Sequence, residues 1–284
     1  MSSISTAEIA QFSAHAEDWW NPEGKFRPLH RLNPVRVEYV RDRACAHFGR
    51  NPASRQSLKG LSVLDVGCGG GLMAEPMARL GAAVTGIDAS VKTIAVAQKH
   101  AKLSHLSINY LIASVEDLAR ANSLPLAGRV REGGGRRANP SPAKTKDLAK
   151  AKSKFLLPLP QGERKYDMIT ALEVAEHVAD MDSFLSGIRK ILKPNGLLIM
   201  STLNRTPKSF LLGIVAAEYI LRWVPRGTHQ WQKFIRPSEL VQRLSDEGLQ
   251  THDLTGLVLN PLTGDFELSK NDLAVNYLLT ASFL

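Results

Sequence analysis

Short apolar segments alternate with amphipathic segments over residues 61–117 and again over residues 166–203. Apolar runs of this length, bounded by glycine or aspartate, predict buried strands, and the apolar spacing between them predicts helices. The predicted strands are LSVLDV, AAVTGID, INYLIAS, YDMITAL and LLIMSTL, and the predicted helices are MAEPMARL, VKTIAVAQKHAKL, VEDLA and MDSFLSGIRKIL, the last closed by a turn at KPNG. This alternation predicts an α/β fold in which a parallel sheet carries helices on both faces.

One long segment interrupts the alternation. Between Asp117 and Tyr166 lie 48 residues, rich in Gly, Pro, Lys and Arg and without sustained periodicity. Residues 126–165 hold eleven Lys or Arg and three Asp or Glu, so eight of the nine net positive charges lie there. A basic arm for an anionic surface and a solvated, disordered insertion are both open. Because the segment has little to bury, we favour the insertion, over residues 120–165, and expect no nucleic-acid partner.

The composition limits the class of protein. A length of 284 residues suits a single domain, and 44% hydrophobic with 22% charged residues is ordinary for a globular protein. The two cysteines, Cys45 and Cys68, lie far apart and lack metal-ligand spacing, which indicates a reducing compartment. The N-terminus does not resemble a signal peptide, and no apolar run reaches ~18 residues. We therefore expect a cytoplasmic protein without a membrane span.

A cluster of glycines follows the first predicted strand, at positions 67, 69, 70 and 71. Glycines at the carboxyl end of a strand allow the backbone to approach a nucleotide-like ligand closely. The final glycine of the dinucleotide motif G-x-G-x-x-G is replaced by Leu72, and Asp65 precedes the first glycine by two residues. Asp88 ends the next strand, where a carboxylate can accept the ribose hydroxyls. Ribose contact without a pyrophosphate motif favours S-adenosylmethionine as the cofactor.

The stretch ALEVAEHVAD, residues 171–180, places three chemically active side chains after the fourth strand. Glu173, Glu176 and His177 stand at i, i+3 and i+4, so a helical segment would present them on one face. Three interpretations stay open: a divalent metal site, a general base at His177 oriented by the glutamates, or acidic residues that stabilise a helix N-terminus. The position at a strand end beside the expected cofactor favours a functional role.

The glycine motif VLDVGCGGG and the following VTGID resemble class I S-adenosylmethionine-dependent methyltransferases. Segments outside that motif resemble the ubiquinone biosynthesis O-methyltransferase family, over nearly the whole chain except residues ~120–165. These segments are WWNPEGKFRPLHRLNPVR, ITALEVAEHV, STLNRTPKS, AAEYILRWVPRGTHQWQKFIRP and NPLTGDFEL with DLAVNY. The resemblance implies a Rossmann-like fold with a seven-stranded, mostly parallel sheet. It implies one domain over residues 1–284, with an N-terminal helical cap at 1–60 and a lid at 205–236.

The resemblance also implies roles for individual residues. It assigns cofactor contacts to Arg36, which would meet the cofactor carboxylate, and to Gly67, Asp88 and Leu172. It associates Glu173, Glu176 and His177 with magnesium, and it makes His177 and Glu173 the catalytic residues. The implied substrates are polyprenyl catechols, namely 2-polyprenyl-6-hydroxyphenol and 3-demethylubiquinol. Imidazole is an unusual ligand for magnesium, which leaves His177 open between metal ligand and general base.

The segment TPKSFLLGIVAAEYILRWVPRGTHQWQKFIRP combines basic residues, tryptophan and apolar residues too few to span a bilayer. An interfacial helix and a buried capping helix both fit this pattern. Because a polyprenyl substrate is membrane-bound, the resemblance favours attachment of residues 207–236 to the inner membrane. It also implies other enzymes of ubiquinone biosynthesis as partners.

Two other functions remain open at this stage. A methyltransferase acting on RNA, protein or another small molecule is one, although amino-methylating relatives carry a D/N-P-P-Y-like motif where this chain has ALEVAEHV. An inactive cofactor-binding relative is the other, and the presence of Gly67, Asp88 and His177 argues against it.

Overall fold

The computed structural model describes residues 13, 15–123, 166–212, 230–260 and 262–283. Its strands are β1 (Ser62–Val66), β2 (Ala83–Asp88), β3 (Asn109–Ile112), β4 (Tyr166–Leu172), β5 (Leu192–Leu203), β6 (Leu249–Leu259), β7 (Phe266–Ser269) and β8 (Asn276–Phe283). Its main helices are α1 (Arg27–His47), α2 (Ala74–Arg79), α3 (Val91–Leu103), α4 (Val115–Ser123), α5 (Met181–Ile191) and α6 (Pro237–Asp246). Shorter helical turns lie at Ala16–Trp20, Ala175–His177, Pro207–Ser209 and Trp231–Lys233.

All eight strands form one sheet in the order β3-β2-β1-β4-β5-β8-β6-β7. The first five strands of this order pair in parallel, and the pairs of β8 with β5 and β6, and of β6 with β7, are antiparallel. The parallel half therefore comes from the part of the chain in which strands and helices alternate. The prediction of a mostly parallel α/β sheet is confirmed.

The sheet has one strand more than the predicted seven. The added strand, β7, lies at the sheet edge and pairs only with β6 among the described strands. It follows a tight turn in which the Asn260 backbone N–H donates to Asp265 O (2.8 Å) and Gly264 N–H donates to Asn260 O (2.8 Å). Gly264 has φ +74°, which glycine adopts without strain. The sequence NPLTGDFEL therefore encodes a hairpin that its apolar pattern did not reveal.

The KPNG segment is not a separate turn, because β5 begins at Leu192, directly after α5. The register of β4 against β5 shifts between Tyr166, which pairs with Leu192, and Met168, which pairs with Leu197. The extra residues of β5 between these two pairs form a bulge-like irregularity. Lys193 reaches back across the sheet, and its Nζ lies 2.9 Å from both carboxylate oxygens of Asp167.

Two hydrophobic cores lie on opposite faces of the sheet. One joins buried side chains of α4, α5 and α6 to strand residues such as Leu64 and Ile169. The other joins α1, α2 and α3 to Val63 and Met168, the neighbours of those residues along the same strands. Successive strand residues point to opposite faces, so both faces are covered by helices, as predicted.

Several predicted segments lie partly outside the described residues. The insertion at 120–165 is described only as far as residue 123, where α4 ends. The lid at 205–236 is described at 205–212 and 230–236. The N-terminal cap is described at 13 and from 15 onwards, where it contains the turn Ala16–Trp20 and α1.

Candidate cofactor and acceptor site

The strand order reverses between β1 and β4, so their carboxyl ends border the crevice where open α/β sheets bind ligands. The glycine loop at residues 67–71 follows β1, and β2 ends at Asp88. β4 ends at Leu172, directly before the segment with the two glutamates and the histidine. The structure therefore brings the predicted cofactor residues and the predicted catalytic residues to one edge of the sheet.

Asp88 is tied to the glycine loop through its carboxylate. Gly69 N–H donates to one carboxylate oxygen (3.2 Å), and Ser90 N–H donates to the other (2.8 Å). Burial raises the pKa of Asp88, while the backbone hydrogen bonds act in the opposite direction. A carboxylate at this strand end can accept ribose hydroxyls. The geometry thus suits the predicted role of Asp88, which stays a prediction.

The outer glycines of the loop lie against side chains of β3 and of the segment that follows β4. A Cβ atom at Gly67 would lie 2.5 Å from Val174, and one at Gly71 would lie 2.3 Å from the Tyr110 hydroxyl. Both glycines also have positive φ, +64° and +95°. A larger residue at either position would therefore meet a steric collision and backbone strain together.

The middle glycines of the loop lie against a tryptophan. A Cβ atom at Gly69 would lie 2.3 Å from the Trp19 ring, and one at Gly70 would lie 2.6 Å from the Trp19 Cβ. Trp19 also stacks on Phe26, with ring centroids 4.1 Å apart. The sequence predicts these glycines because they let a ligand come close to the backbone. The structure shows that packing against Trp19 requires them as well.

Asp65 is a buried carboxylate directly beneath this loop. Thr170 Oγ1 donates to Asp65 Oδ1 (2.7 Å), whereas Asp65 Oδ2 is buried without a hydrogen bond of standard geometry to the described residues. Burial raises the pKa of Asp65 to about 7, against the lowering effects of the Thr170 bond and the Arg36 charge. The Ala74 backbone also acts on this carboxylate and lowers its pKa.

Arg36 and Glu173 form a buried ion pair on the acceptor side of the crevice, 2.7 Å from Arg36 Nη2 to Glu173 Oε1. Glu173 Oε1 also accepts from Ser201 Oγ (2.6 Å), and Asn276 Nδ2 donates to both carboxylate oxygens (3.0 and 3.1 Å). Burial alone would raise the pKa of Glu173, but the Arg36 charge and these hydrogen bonds outweigh it and lower that pKa. Glu173 has φ +55°, a conformation that costs a non-glycine residue energy.

Glu176 and His177 lie in the turn Ala175–His177, which is a single 3-10 turn rather than a longer helix. Thr202 Oγ1 donates to Glu176 Oε2 (2.6 Å), and Glu176 is almost fully buried. Burial raises the pKa of Glu176, and the nearby Glu173 charge raises it further, while His177 lowers it. His177 is half-buried. Because Glu173 precedes the turn, the expected single helical face does not form.

The residues do not fit a magnesium site in this arrangement. In the part of the chain that the structure describes, no three His, Cys, Asp or Glu side chains are placed to hold a metal ion. The negative charge of Glu173 is already balanced by Arg36, so it offers little attraction to a cation. The assignment of Glu173, Glu176 and His177 to magnesium stays a prediction.

The residues around the loop do fit an adenosyl cofactor. Asp88 is held beside the loop, and Leu172 is partly buried at the end of β4, paired with Ser201. Arg36 is predicted to meet the cofactor carboxylate, but in the structure it contacts Glu173. To bind the cofactor carboxylate, Arg36 must contact both carboxylates or leave Glu173.

Sequence reasoning missed several residues that build this site. Trp19, Tyr110, Ser201 and Asn276 received no role, although the segments WW and DLAVNY were noted for their resemblance. Two adjacent tryptophans in a polar stretch were a usable signal, because side chains this large are seldom left solvated. No local sequence pattern predicts a role for Asn276, because it is 103 positions away in sequence from Glu173, the residue that it contacts.

The described ends of the lid expose apolar side chains. Phe210, Leu211 and Leu212 are 46%, 58% and 45% exposed, and Phe210 contacts Trp231 edge-to-face at 6.3 Å. Lys208 pairs with Asp272 at 2.6 Å. Among the described helices, none has the length and apolar character needed to cross a membrane.

Comparison with known proteins adds relatives and structural neighbours. Residues 37–254 match the family model described as a methyltransferase domain. The chain is 45% identical over 280 residues to a ubiquinone biosynthesis O-methyltransferase of Rhizobium leguminosarum bv. trifolii, covering 99% of this chain and 94% of the relative. It is 46% identical over 278 residues to one of Chelativorans sp., covering 98% and 93%. Magnesium protoporphyrin IX methyltransferase from Synechocystis PCC 6803 with bound SAH shares the fold, with a TM-score of 0.58 at 19% identity, covering 98% of this chain and 99% of that one.

Proposed function

The chain belongs to the ubiquinone biosynthesis O-methyltransferase family, and we propose that it methylates a phenolic oxygen of polyprenyl catechols. It is an S-adenosylmethionine-dependent methyltransferase. The proposed acceptors are 2-polyprenyl-6-hydroxyphenol and 3-demethylubiquinol. The observation that carries the proposal is identity near 45% over almost the whole chain.

The cofactor side supplies the electrophile in this proposal. Bound S-adenosylmethionine carries a methyl group on a positively charged sulfur, ready for transfer to an oxygen nucleophile. We assign ribose binding to Asp88, backbone contact to Gly67, and contact from the acceptor side to Leu172. Arg36 is assigned to the cofactor carboxylate. These residues orient the donor, and orientation accounts for much of the rate in such a transfer.

The acceptor side supplies the base. We assign removal of the phenol proton to His177, which lies at the carboxyl edge of the sheet beside Glu176. We assign to Glu176 the role of an adjacent carboxylate, which stabilises an imidazolium formed by proton transfer. The phenolate oxygen then takes the methyl group, S-adenosylhomocysteine is left, and His177 returns the proton to solvent. Glu173 contributes by holding Arg36 at the crevice.

Membrane contact through residues 207–236 belongs to the same proposal. The exposed apolar side chains of Phe210, Leu211 and Leu212 support it, because contiguous exposed apolar residues mark interaction surfaces. We propose peripheral attachment to the inner membrane, where the polyprenyl chain of the acceptor resides. Interaction with other enzymes of ubiquinone biosynthesis is proposed on the family resemblance alone.

The test uses the full-length protein with S-adenosylmethionine and a short-chain prenyl catechol, and detects the methylated product by mass spectrometry. His177→Asn should lower kcat by about 10²- to 10⁴-fold, and raised pH should restore part of it, because hydroxide replaces the base. The matched control is His47→Asn, since His47 is exposed and contacts Asn195 O, away from the crevice.

Two outcomes would change the proposal. If the protein binds S-adenosylhomocysteine but leaves the catechol unmethylated, the acceptor is a different compound. If chelation with EDTA abolishes turnover and Mg²⁺ restores it, the metal prediction for Glu173, Glu176 and His177 holds in place of a base acting alone.

A further inference from the structure

The segment at residues 15–26, here called the N-terminal strap, lies across the glycine loop and contacts its backbone. Trp20 Nε1 donates to Gly70 O (2.9 Å), and Trp19 covers Gly69 and Gly70. Just beyond the strap, Asn33 Nδ2 donates to Leu72 O (2.7 Å). These contacts reach the carbonyl groups of the loop itself.

The strap is fastened by an aromatic stack to the helix that follows Asp88. The Trp20 indole lies face to face on the His100 imidazole of α3, with centroids 3.4 Å apart and an interplanar angle of 4°. His100 Nδ1 in turn lies 2.6 Å from Glu75 Oε1, and Glu75 is a buried carboxylate of α2, the helix that follows the loop. Arg79 reaches the other oxygen of Glu75 at 3.5 Å. Trp20, His100 and Glu75 thus form a chain of contacts, here called the latch.

The latch joins the strap to the two helices that frame the cofactor loop. α2 starts three residues after Gly71, and α3 starts three residues after Asp88. One contact chain therefore connects the strap to the helix that follows the glycine loop and to the helix that follows Asp88. A strap that only filled space would not need a stacked imidazole with its own buried carboxylate partner.

The strap is packed separately from the two main cores. Ala16, Trp19, Phe26 and Leu72 form a small cluster of their own, with Trp20, Leu29 and Val96 packed against it. Units that bury little surface open locally at lower free energy than the core does. The strap can therefore detach from the loop while the sheet stays folded, and the latch contacts are those that oppose detachment.

We infer that the N-terminal strap closes over the cofactor loop and that Trp20, His100 and Glu75 act as positioning residues that set how long the cofactor remains bound. Trp20 holds the loop through Gly70 O, and His100 holds the Trp20 ring in place, oriented by Glu75. Loss of the latch should speed both binding and release, so dissociation rate is a more sensitive measure than equilibrium affinity.

The test measures dissociation of S-adenosylhomocysteine from the full-length protein by stopped flow. Trp20→Leu and His100→Leu remove the stack and should raise the dissociation rate about tenfold, on the scale of one aromatic pair. Trp20→Phe keeps a stacked ring but loses the bond to Gly70 O, so it should raise the rate by less than Trp20→Leu does. The matched control is Lys99→Leu, an exposed neighbour of His100 on the same helix, which should leave the rate unchanged.

Fluorescence provides a second readout, which reports whether the Trp20–His100 stack forms in solution. A stacked imidazole quenches indole emission, so His100→Leu should brighten the protein, and this gain should vanish in a Trp20→Phe background. If His100→Leu does not fold, His100→Gln serves, since it keeps a hydrogen bond to Glu75 and loses the stack.

The inference is overturned if latch variants leave the dissociation rate within twofold of wild type, whether or not their melting temperature falls. It is also overturned if Lys99→Leu accelerates release as much as His100→Leu does. The measurement needs no methyl acceptor, so failure of the proposed catechol activity would not be mistaken for failure of the latch.

Discussion

The cofactor side and the acceptor side of the crevice adjoin, yet they are held by different kinds of contact. On the cofactor side, the loop at residues 67–71 is shaped by positive φ angles and by backbone bonds to Asp88, 19 positions from Gly69. On the acceptor side, Glu173 depends on Arg36, Ser201 and Asn276, which come from three distant parts of the chain. The comparison teaches that local backbone rules encode the first side, whereas long-range polar contacts encode the second.

The largest expected effect concerns the acceptor side. Arg36→Met should destabilise the protein by about 3–5 kcal/mol, because it leaves the buried Glu173 carboxylate without its cation. Urea unfolding at pH 7 measures this. Arg41→Met is the control, since Arg41 pairs with the more exposed Glu38 and Asp42 and should cost under about 1 kcal/mol. Equal costs for the two variants would show that the Arg36–Glu173 pair stabilises the protein no more than the exposed pairs of Arg41 do.

A second effect separates the two sides by pH. Burial raises the pKa of Asp65 to about 7, so folding favours its neutral form, and that stabilisation is lost as pH rises from about 4 through 7. Asp65→Asn should therefore match wild type near pH 4 and exceed its stability above pH 7, by on the order of 4 kcal/mol. Glu173 behaves oppositely: its lowered pKa adds stability above its ordinary range, which is lost on acidification. Urea midpoints across pH test both, and a pH-independent difference for Asp65→Asn would contradict the first.

A third effect tests the packing of the cofactor loop. Gly69→Ala should cost about 1–3 kcal/mol more than Gly248→Ala, because both glycines have positive φ but only Gly69 faces another side chain, the Trp19 ring. Gly248 has no heavy atom within 4 Å of the added Cβ, so it isolates backbone strain. Thermal unfolding of the two variants measures the difference. Equal losses of stability in the two variants would show that the Trp19 ring moves aside for the added methyl group.

The same contrast explains what the sequence could and could not predict. The five parallel strands followed from short continuous apolar runs, because both of their faces are buried, and the helices between them followed from apolar spacing on one face. The positions of Gly67, Asp88 and Leu172 at one edge followed from the parallel topology. The pairing of Arg36 with Glu173 did not, since two charges far apart in sequence carry no signal of contact. Strands β6, β7 and β8 were not located from the pattern, and β7 in particular belongs to a short, half-exposed hairpin.

The smallest expected effect on stability comes from the exposed apolar residues 210–212 of the lid. They differ from the aromatic cluster around Trp19, which is buried against the glycine loop. Leu211→Asp should change the free energy of unfolding by less than about 0.5 kcal/mol, because Leu211 is 58% exposed and buries little. The same variant should lose binding to anionic vesicles in a sedimentation assay, because its apolar side chain no longer enters the interface and its new charge is repelled. Leu103→Asp is the control: Leu103 is 69% exposed at the C-terminal end of α3, and its replacement should leave vesicle binding intact. If both variants weaken binding equally, net charge rather than the lid edge governs attachment. If Leu211→Asp unfolds the protein, that side chain packs inward in solution, and the lid is a capping element rather than a membrane surface.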